Sequence, residues 1–329
     1  MAVDAAAAPR VLMSGSPRIL LLRRDNIGDL VCTTPLIDGL RALLPRAWIG
    51  ALVTTYNAEV LSGNPALDEV FVYEKLKHRS GGLLAHLRAR LAQMARLRAR
   101  SLDCVLVPAP TPQSLKLARS LKPAQVVAAP SAVAPGQHEV ERSFEVGRQL
   151  GLSGRPGPLR AFPDARQREA LRAKLGDGPF VAVHISARRP AQRWPLERYA
   201  ELISILSAKQ NVMLLWAPGA KDDPRHPGDD AAAAEILRTV KSSKVVPVET
   251  PDLTTLIAAL SLADRVICPD GGAMHLAAAL GKPVVALFGD SPVERWRPWG
   301  VPHRVLRPES RDLADLPLAP VLAAFAELG

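Results

Sequence analysis

The chain has 329 residues, which at roughly 100–200 residues per domain suggests two domains, and 48% of them are hydrophobic, ample for two buried cores. Lysine and arginine number 42 against 32 acids, a net charge of +10 that calls for anionic partners: phosphates, acidic glycans, a membrane surface or nucleic acid. Aromatics make up 4% and no stretch interleaves them with basic residues, which argues against a stacking platform for single-stranded nucleic acid.

Met1 to Pro17 is Ala-rich, with no charged stretch leading into an apolar one, and reads as a disordered tail rather than a signal peptide. No run approaches the roughly 18 apolar residues of a membrane span. Cys32, Cys104 and Cys268 are scattered, without Cys-x-x-Cys spacing, so a disulfide framework and a structural zinc site are set aside. Buried free thiols and a cytoplasmic location are expected.

Short apolar runs then alternate with helical patterns. Arg18–Leu22, Trp48–Val53, Val70–Val72, Cys104–Val107 and Val126–Ala129 read as strands of a first half. Phe180–His184, Val212–Trp216, Lys244–Val248, Arg265–Cys268 and Pro283–Phe288 read as strands of a second. Between them lie helical stretches such as Thr33–Leu44, Leu196–Ala208 and Leu253–Leu262. Near-continuous apolar strands alternating with helices indicate parallel sheets covered on both faces. The Pro- and Gly-rich stretch Leu152–Pro163 is the boundary, giving domains 18–158 and 159–329 after the 1–17 tail, with the C-terminal helix available to pack back on the first domain. In such folds ligands bind just beyond the carboxyl ends of strands.

Lys75 to Arg100 holds eight basic residues and no acid. Its Leu83, Leu84, Leu87, Leu91 and Met94 fall on one helical face, with Arg90 and Arg98 intruding. This segment is either a solvated basic helix or a surface for an anionic membrane.

Three motifs follow strands. The first is Arg23-Arg24-Asp25-Asn26-Ile27-Gly28-Asp29, where Gly28 permits a tight turn and Asp29 is either a helix cap or a carboxylate directed at a ligand. The second is His184-Ile185-Ser186 with Arg188, Arg189, Arg193 and Trp194-Pro195, whose hydroxyl and arginines suit a diphosphate. The third is Asp270-Gly271-Gly272-Ala273-Met274-His275, a glycine turn into a small-residue helix, where backbone N–H groups can meet an anion. A weaker signal is Asp222 after Trp216, where an acid could accept from ribose hydroxyls. The acid pairs Asp222–Asp223 and Asp229–Asp230 read as a solvated loop rather than a metal site. Neither a G-x-G-x-x-G nor a P-loop fingerprint is present.

Taken together, Ile27-Gly28-Asp29 with Thr33-Thr34-Pro35, the His184 loop with Arg193-Trp194-Pro195, Asp270 to His275, and Leu287-Phe288-Gly289 with Arg295-Trp296 and Pro298-Trp299-Gly300 resemble the ADP-heptose:lipopolysaccharide heptosyltransferases, glycosyltransferase family nine. The resemblance spans about Arg18 to Gly300. It implies a GT-B fold, two Rossmann-like doubly wound domains facing a cleft, with the acceptor held by the first and the nucleotide sugar by the second. It implies an inverting transfer that uses no metal and no cofactor, with ADP-heptose as donor, no nucleic acid partner, and a lipid-linked or acidic glycan acceptor at the inner face of a membrane. By that resemblance Asp29 is the catalytic base. His184, Ser186, Arg193, Asp222, Asp270, Gly271, Gly272, Met274 and His275 lie at the donor. Arg23, Arg24, Asn26 and Gly28 lie towards the acceptor. The same fold could instead carry a different nucleotide sugar, or bind one without catalysis. Departures from the family pattern at Asp25–Asn26, Ile185–Ser186 and Gly271 bear on which sugar is used.

Overall fold

The computed structural model describes residues 15–73, 83–130, 132–220 and 227–328, and the chain divides into two compact units, 1–157 and 158–329. The alanine-rich start up to residue 14, the basic positions Lys75, Lys77 and Arg79, the side chains of Leu83, Leu84 and Leu87, and Asp222 lie outside what is described. Pro17, the last residue of the expected tail, is buried and its carbonyl accepts from the Trp48 N–H.

The first unit runs β1 (Arg18–Leu22), α1 (Ile27–Val31), α2 (Thr34–Leu43), β2 (Trp48–Thr54), β3 (Glu69–Tyr73), α3 (Leu83–Ala99), β4 (Cys104–Val107), α4 (Pro112–Ser120), β5 (Gln125–Ala128) and α5 (Glu139–Arg148). Its sheet is ordered β3-β2-β1-β4-β5, with every pair parallel. Central β1 has Ile19, Leu20 and Leu21 fully buried, as a strand covered on both faces must.

The second unit runs α6 (Ala165–Leu175), β6 (Phe180–His184), α7 (Leu196–Ser207), β7 (Asn211–Trp216), α8 (Asp230–Thr239), β8 (Val245–Glu249), α9 (Leu253–Leu262), β9 (Arg265–Pro269), α10 (Gly272–Ala279), β10 (Val284–Leu287), α11 (Val293–Trp296), β11 (His303–Leu306) and α12 (Leu318–Glu327). Its sheet is ordered β11-β10-β9-β6-β7-β8, again all parallel. Helix α12 packs on α7, β10 and β11 of its own unit, with Val321, Ala324 and Phe325 in that unit's core.

Both sheets therefore have the doubly wound order, in which the chain leaves the first strand one way and later returns to its other side. The reversal opens a crevice beyond the carboxyl ends of β1 and β4 in the first unit, and of β6 and β9 in the second. All three strand-following motifs emerge at these two points. The three cysteines are buried, and burial pushes the Cys104 thiol up to about 12. Among the described residues no helix is long and apolar enough to cross a membrane.

Helix α3 departs from its expected face. Leu91, read as apolar-side, is 69% exposed, while Leu97 is fully buried and Met94 packs against the first unit's core. The seam is completed by arginine: the guanidiniums of Arg90 and Arg96 stack on Tyr73 and Phe71, and Arg96 and Arg100 both pair with Glu69. Long basic side chains cover apolar surface with their stems, so an apolar-only count misplaces the seam. Leu97→Ala should therefore cost about 2–5 kcal/mol in chemical denaturation, whereas Leu91→Ala should stay within about 0.5 kcal/mol. The reverse order would return the helix to the face expected from its leucines.

Candidate functional site

In the first unit the turn after β1 is organised by charge. Asn26 caps α1: its backbone N–H and its side-chain amide donate to Asp29 Oδ2 at 3.2 and 3.0 Å, closing a capping box. Arg23 Nη2 donates to Asp29 Oδ1 at 2.9 Å and to Glu139 Oε1 of α5 at 2.7 Å, while Arg23 Nε lies 3.1 Å from Asp25 Oδ2. Arg142 Nη1 approaches the same Glu139 oxygen at 3.5 Å. Burial opposes the charge on Arg23, yet Asp29, Glu139 and Asp25 together raise its pKa above the ordinary arginine value. Asp29 thus closes the cap and keeps its carboxylate 14% exposed at the crevice.

Two expectations change here. Arg23, expected towards the acceptor, is 1% exposed, so its guanidinium lies beneath the site rather than in it. Gly28 is buried in the first turn of α1 instead of forming an open approach. Arg24 and Asn26 remain accessible. Arg24 stacks on Tyr73 at 4.7 Å and, with Arg90 and Lys116, brings positive charge to a cavity of about 630 Å³, where Thr111 and Ser114 add hydroxyls. Its walls come from the loops after β1 and β4, the two strands that frame the crevice, together with α3, α4 and the end of β3.

In the second unit His184 ends β6 and is almost fully buried; burial lowers it to about 4, with Asp229 pulling the other way, so it is neutral at pH 7. Among the described residues its Nδ1 has no hydrogen-bond partner. The Ser186 hydroxyl accepts from the Ala217 N–H at 2.9 Å, which ties this loop to the end of β7 and leaves the O–H free to donate. Arg193 Nη1 pairs with Asp229 Oδ1 at 2.6 Å, and Asp229 is 3% exposed. The neighbouring Asp230 accepts from Trp216 Nε1 and from the Gly219 N–H. The pair Asp229–Asp230, read as solvated, is thus part of the fold: one carboxylate is buried against an arginine and the other pins the loop after β7.

Beyond β9, Asp270 is buried; burial raises its pKa, opposed by Ser291, Arg189 and Gln192. Gln192 Nε2 donates to Asp270 Oδ2 at 2.7 Å and to Ser291 Oγ at 2.9 Å, joining the loop after β6 to the loops after β9 and β10. Gly289 packs so closely on that loop that a Cβ there would come within 2.0 Å of the Ala191 carbonyl oxygen. Gly271 caps α10 at φ 157°, a conformation that favours glycine although a side chain would meet open space. The free N–H groups at the start of α10 are thereby presented at the crevice. His275 is buried with its ring edge-on to Trp296 at 6.0 Å. Met274 is wholly buried, so its side chain belongs to the core and only its backbone is available to a donor. Among the described residues no group of three or more His, Cys, Asp or Glu is placed to hold a metal ion.

Glu139 and Gln192 were not singled out from the sequence, and Asp229 was read only as part of a solvated loop. Their partners lie 116, 78 and 36 residues away, so no local pattern marks them.

Two doubly wound units, one carrying a fixed carboxylate at its crevice and the other a glycine-led helix start among arginines, define a sugar-transferase fold of the GT-B type. The chain belongs to glycosyltransferase family 9 (heptosyltransferase), whose family model matches residues 119–316. It is 26% identical over 297 residues to lipopolysaccharide heptosyltransferase 3 of Escherichia coli K12, covering 83% of this chain and 82% of that one. It is 24% identical to lipopolysaccharide heptosyltransferase 1 of the same organism, covering 94% of this chain and all of the other. Among solved structures, the glycosyl transferase family 9 protein of Veillonella parvula DSM 2008 matches with a TM-score of 0.81 at 19% identity, over 95% of this chain and 97% of its own. The E. coli heptosyltransferase WaaC with ADP matches with a TM-score of 0.75 at 21% identity, over 95% and 100%. The protein is accordingly a glycosyltransferase.

Proposed function

We propose that this enzyme transfers a heptose from ADP-heptose to a hydroxyl of a lipopolysaccharide-core or related acceptor, with inversion at the anomeric carbon and without a metal ion. The observation that carries the reading is Asp29: a carboxylate held at both oxygens, yet open to solvent, where the first sheet reverses its winding. The names of the relatives, and solved heptosyltransferases bound to ADP and to ADP-2-deoxy-2-fluoro heptose, support the donor and acceptor classes.

In this reading the acceptor hydroxyl gives its proton to Asp29 as its oxygen attacks the anomeric carbon from the face opposite the diphosphate. The bond to ADP breaks as the new glycosidic bond forms, which inverts the centre. A positioned base contributes roughly 10²–10⁴-fold. The departing diphosphate gains negative charge, which the N–H groups at the start of α10, the Ser186 hydroxyl and Arg193 stabilise as fixed donors. His184, neutral at pH 7, and His275 line that site. The cavity beside Arg24, Arg90 and Lys116 suits the acidic groups of the acceptor. The enzyme works in the cytoplasm, peripherally at the inner membrane, with the exposed side of α3 towards anionic lipid.

Asp29→Asn should lower kcat by about 10²-fold or more while ADP affinity is kept, and chelator should leave turnover intact. Near-normal turnover in that variant would remove Asp29 from the base role, and a different preferred donor in a nucleotide-sugar panel would overturn ADP-heptose. For the membrane, Arg96 and Arg100 are engaged by Glu69 and Arg98 donates to the Ser120 carbonyl, which leaves Arg88 and Leu91 as exposed contacts of α3. The double variant Arg88→Gln, Leu91→Ser should sediment less with anionic vesicles, by about 1 kcal/mol for the lost cation, and should keep its activity on a short soluble acceptor. Equal sedimentation of variant and wild type would leave α3 a solvated face.

A further inference from the structure

Arg23 is the least expected residue of the first unit. It is a cation with no solvent exposure, and a single nitrogen, Nη2, donates to two carboxylates, Asp29 at 2.9 Å and Glu139 at 2.7 Å. Of those two, Asp29 reaches the crevice and Glu139 is fully buried. Glu139 cannot touch a substrate, so what it contributes to Asp29 passes through Arg23, the cation that the two carboxylates share. It opens α5, where an acid is favoured by the helix dipole, but Glu141 already serves that helix start by closing its capping box. Burying a second carboxylate is costly unless it is paired, and here the pairing is with the cation that grips Asp29.

We infer that Glu139 is a positioning residue for the transfer: it shares the charge of Arg23, so that Arg23 orients Asp29 without claiming its negative charge outright. The inference rests on Asp29 being the base. An arginine in contact with a carboxylate favours the ionised form and so opposes proton uptake. A second carboxylate on the same nitrogen offsets that pull while both hydrogen bonds keep their geometry. The charged groups around Asp29 fit this balance. Arg23 and Asp25 come from the turn after β1, Glu139 and Arg142 from α5, and Glu59 from the short 3-10 turn packed against α1, with Arg24 on the cavity side. Without Glu139, Arg23 would be left to Asp25 and Asp29 alone. Without Arg23, Asp29 would face Glu139 with its main countercharge gone.

The two losses have opposite signs, which a purely structural role would not produce. In pH profiles of kcat/KM, Glu139→Gln should move the acid limb to lower pH by about one unit, with kcat lowered and the KM for the donor kept. Arg23→Gln should move the same limb to higher pH. The position of a limb does not depend on the fraction of protein that is active, so partial misfolding does not mimic the shift. Glu139→Asp, which keeps the charge, should return the limb towards its wild-type position and covers the case in which Glu139→Gln does not fold. Limbs that stay in place in both charge-removing variants, or that move the same way, would overturn the inference. Asp29→Asn measured alongside separates the two claims. Full turnover in that variant overturns the base and this inference with it. Lost turnover with unmoved limbs overturns the role of Glu139 alone.

Discussion

The first unit is built around the buried positive charge of Arg23. Arg23 follows the central strand into a place without solvent and is held there by carboxylates from its own turn and from α5, more than a hundred residues later. Removing one member of such a buried set typically costs about 3–5 kcal/mol, because the remaining charge is left uncompensated. That penalty fixes the approach of α5 to the β1–α1 turn, and with it the direction of the Asp29 carboxylate. The capping box with Asn26 holds the other oxygen, so the side chain has little freedom left except towards the crevice.

The second unit solves the corresponding problem with loops rather than a buried cation. Asp270, Gln192 and Ser291 bind the loops after β9 and β10 to the loop after β6, while Arg193 and Asp229 bind the latter to the entrance of α8. Gln192 meets Asp270 because β6 and β9 are neighbours in the sheet, and Arg193 meets Asp229 because β6 and β7 are. The doubly wound order brings chemistry from distant stretches to one edge, and the hydrogen bonds then stiffen it into a site that can meet a diphosphate without reorganising.

Much of the fold is legible in the sequence because parallel strands buried on both faces leave continuous apolar runs; all ten strands read that way are present, shifted by a residue or so. The eleventh, His303–Leu306, is short and half-exposed, with His303 and Arg304 interrupting its apolar character, and it leaves no such run. At the sites, His184 ends β6, Asp270 follows β9, and Asp29 lies in the first turn of the helix that follows β1. Their neighbours are less legible. Arg23 and Arg24 are adjacent and alike in sequence, yet one is sealed beneath the sheet edge and the other faces a cavity, since successive residues of an extended chain point opposite ways. Met274 sits within the most distinctive motif and still belongs to the core. Glu139 and Asp229 gain their importance only from partners that the fold supplies.

The central claim is that this network aims Asp29 at the attacking hydroxyl. The most direct test is an experimental structure of the enzyme with an unreactive donor analogue and an acceptor fragment bound together. The account predicts the acceptor hydroxyl about 2.6–3.2 Å from an Asp29 oxygen, with Arg23 still joined to both Asp29 and Glu139. A hydroxyl directed at another base, or an Asp29 carboxylate turned away from the acceptor by Arg23, would contradict it.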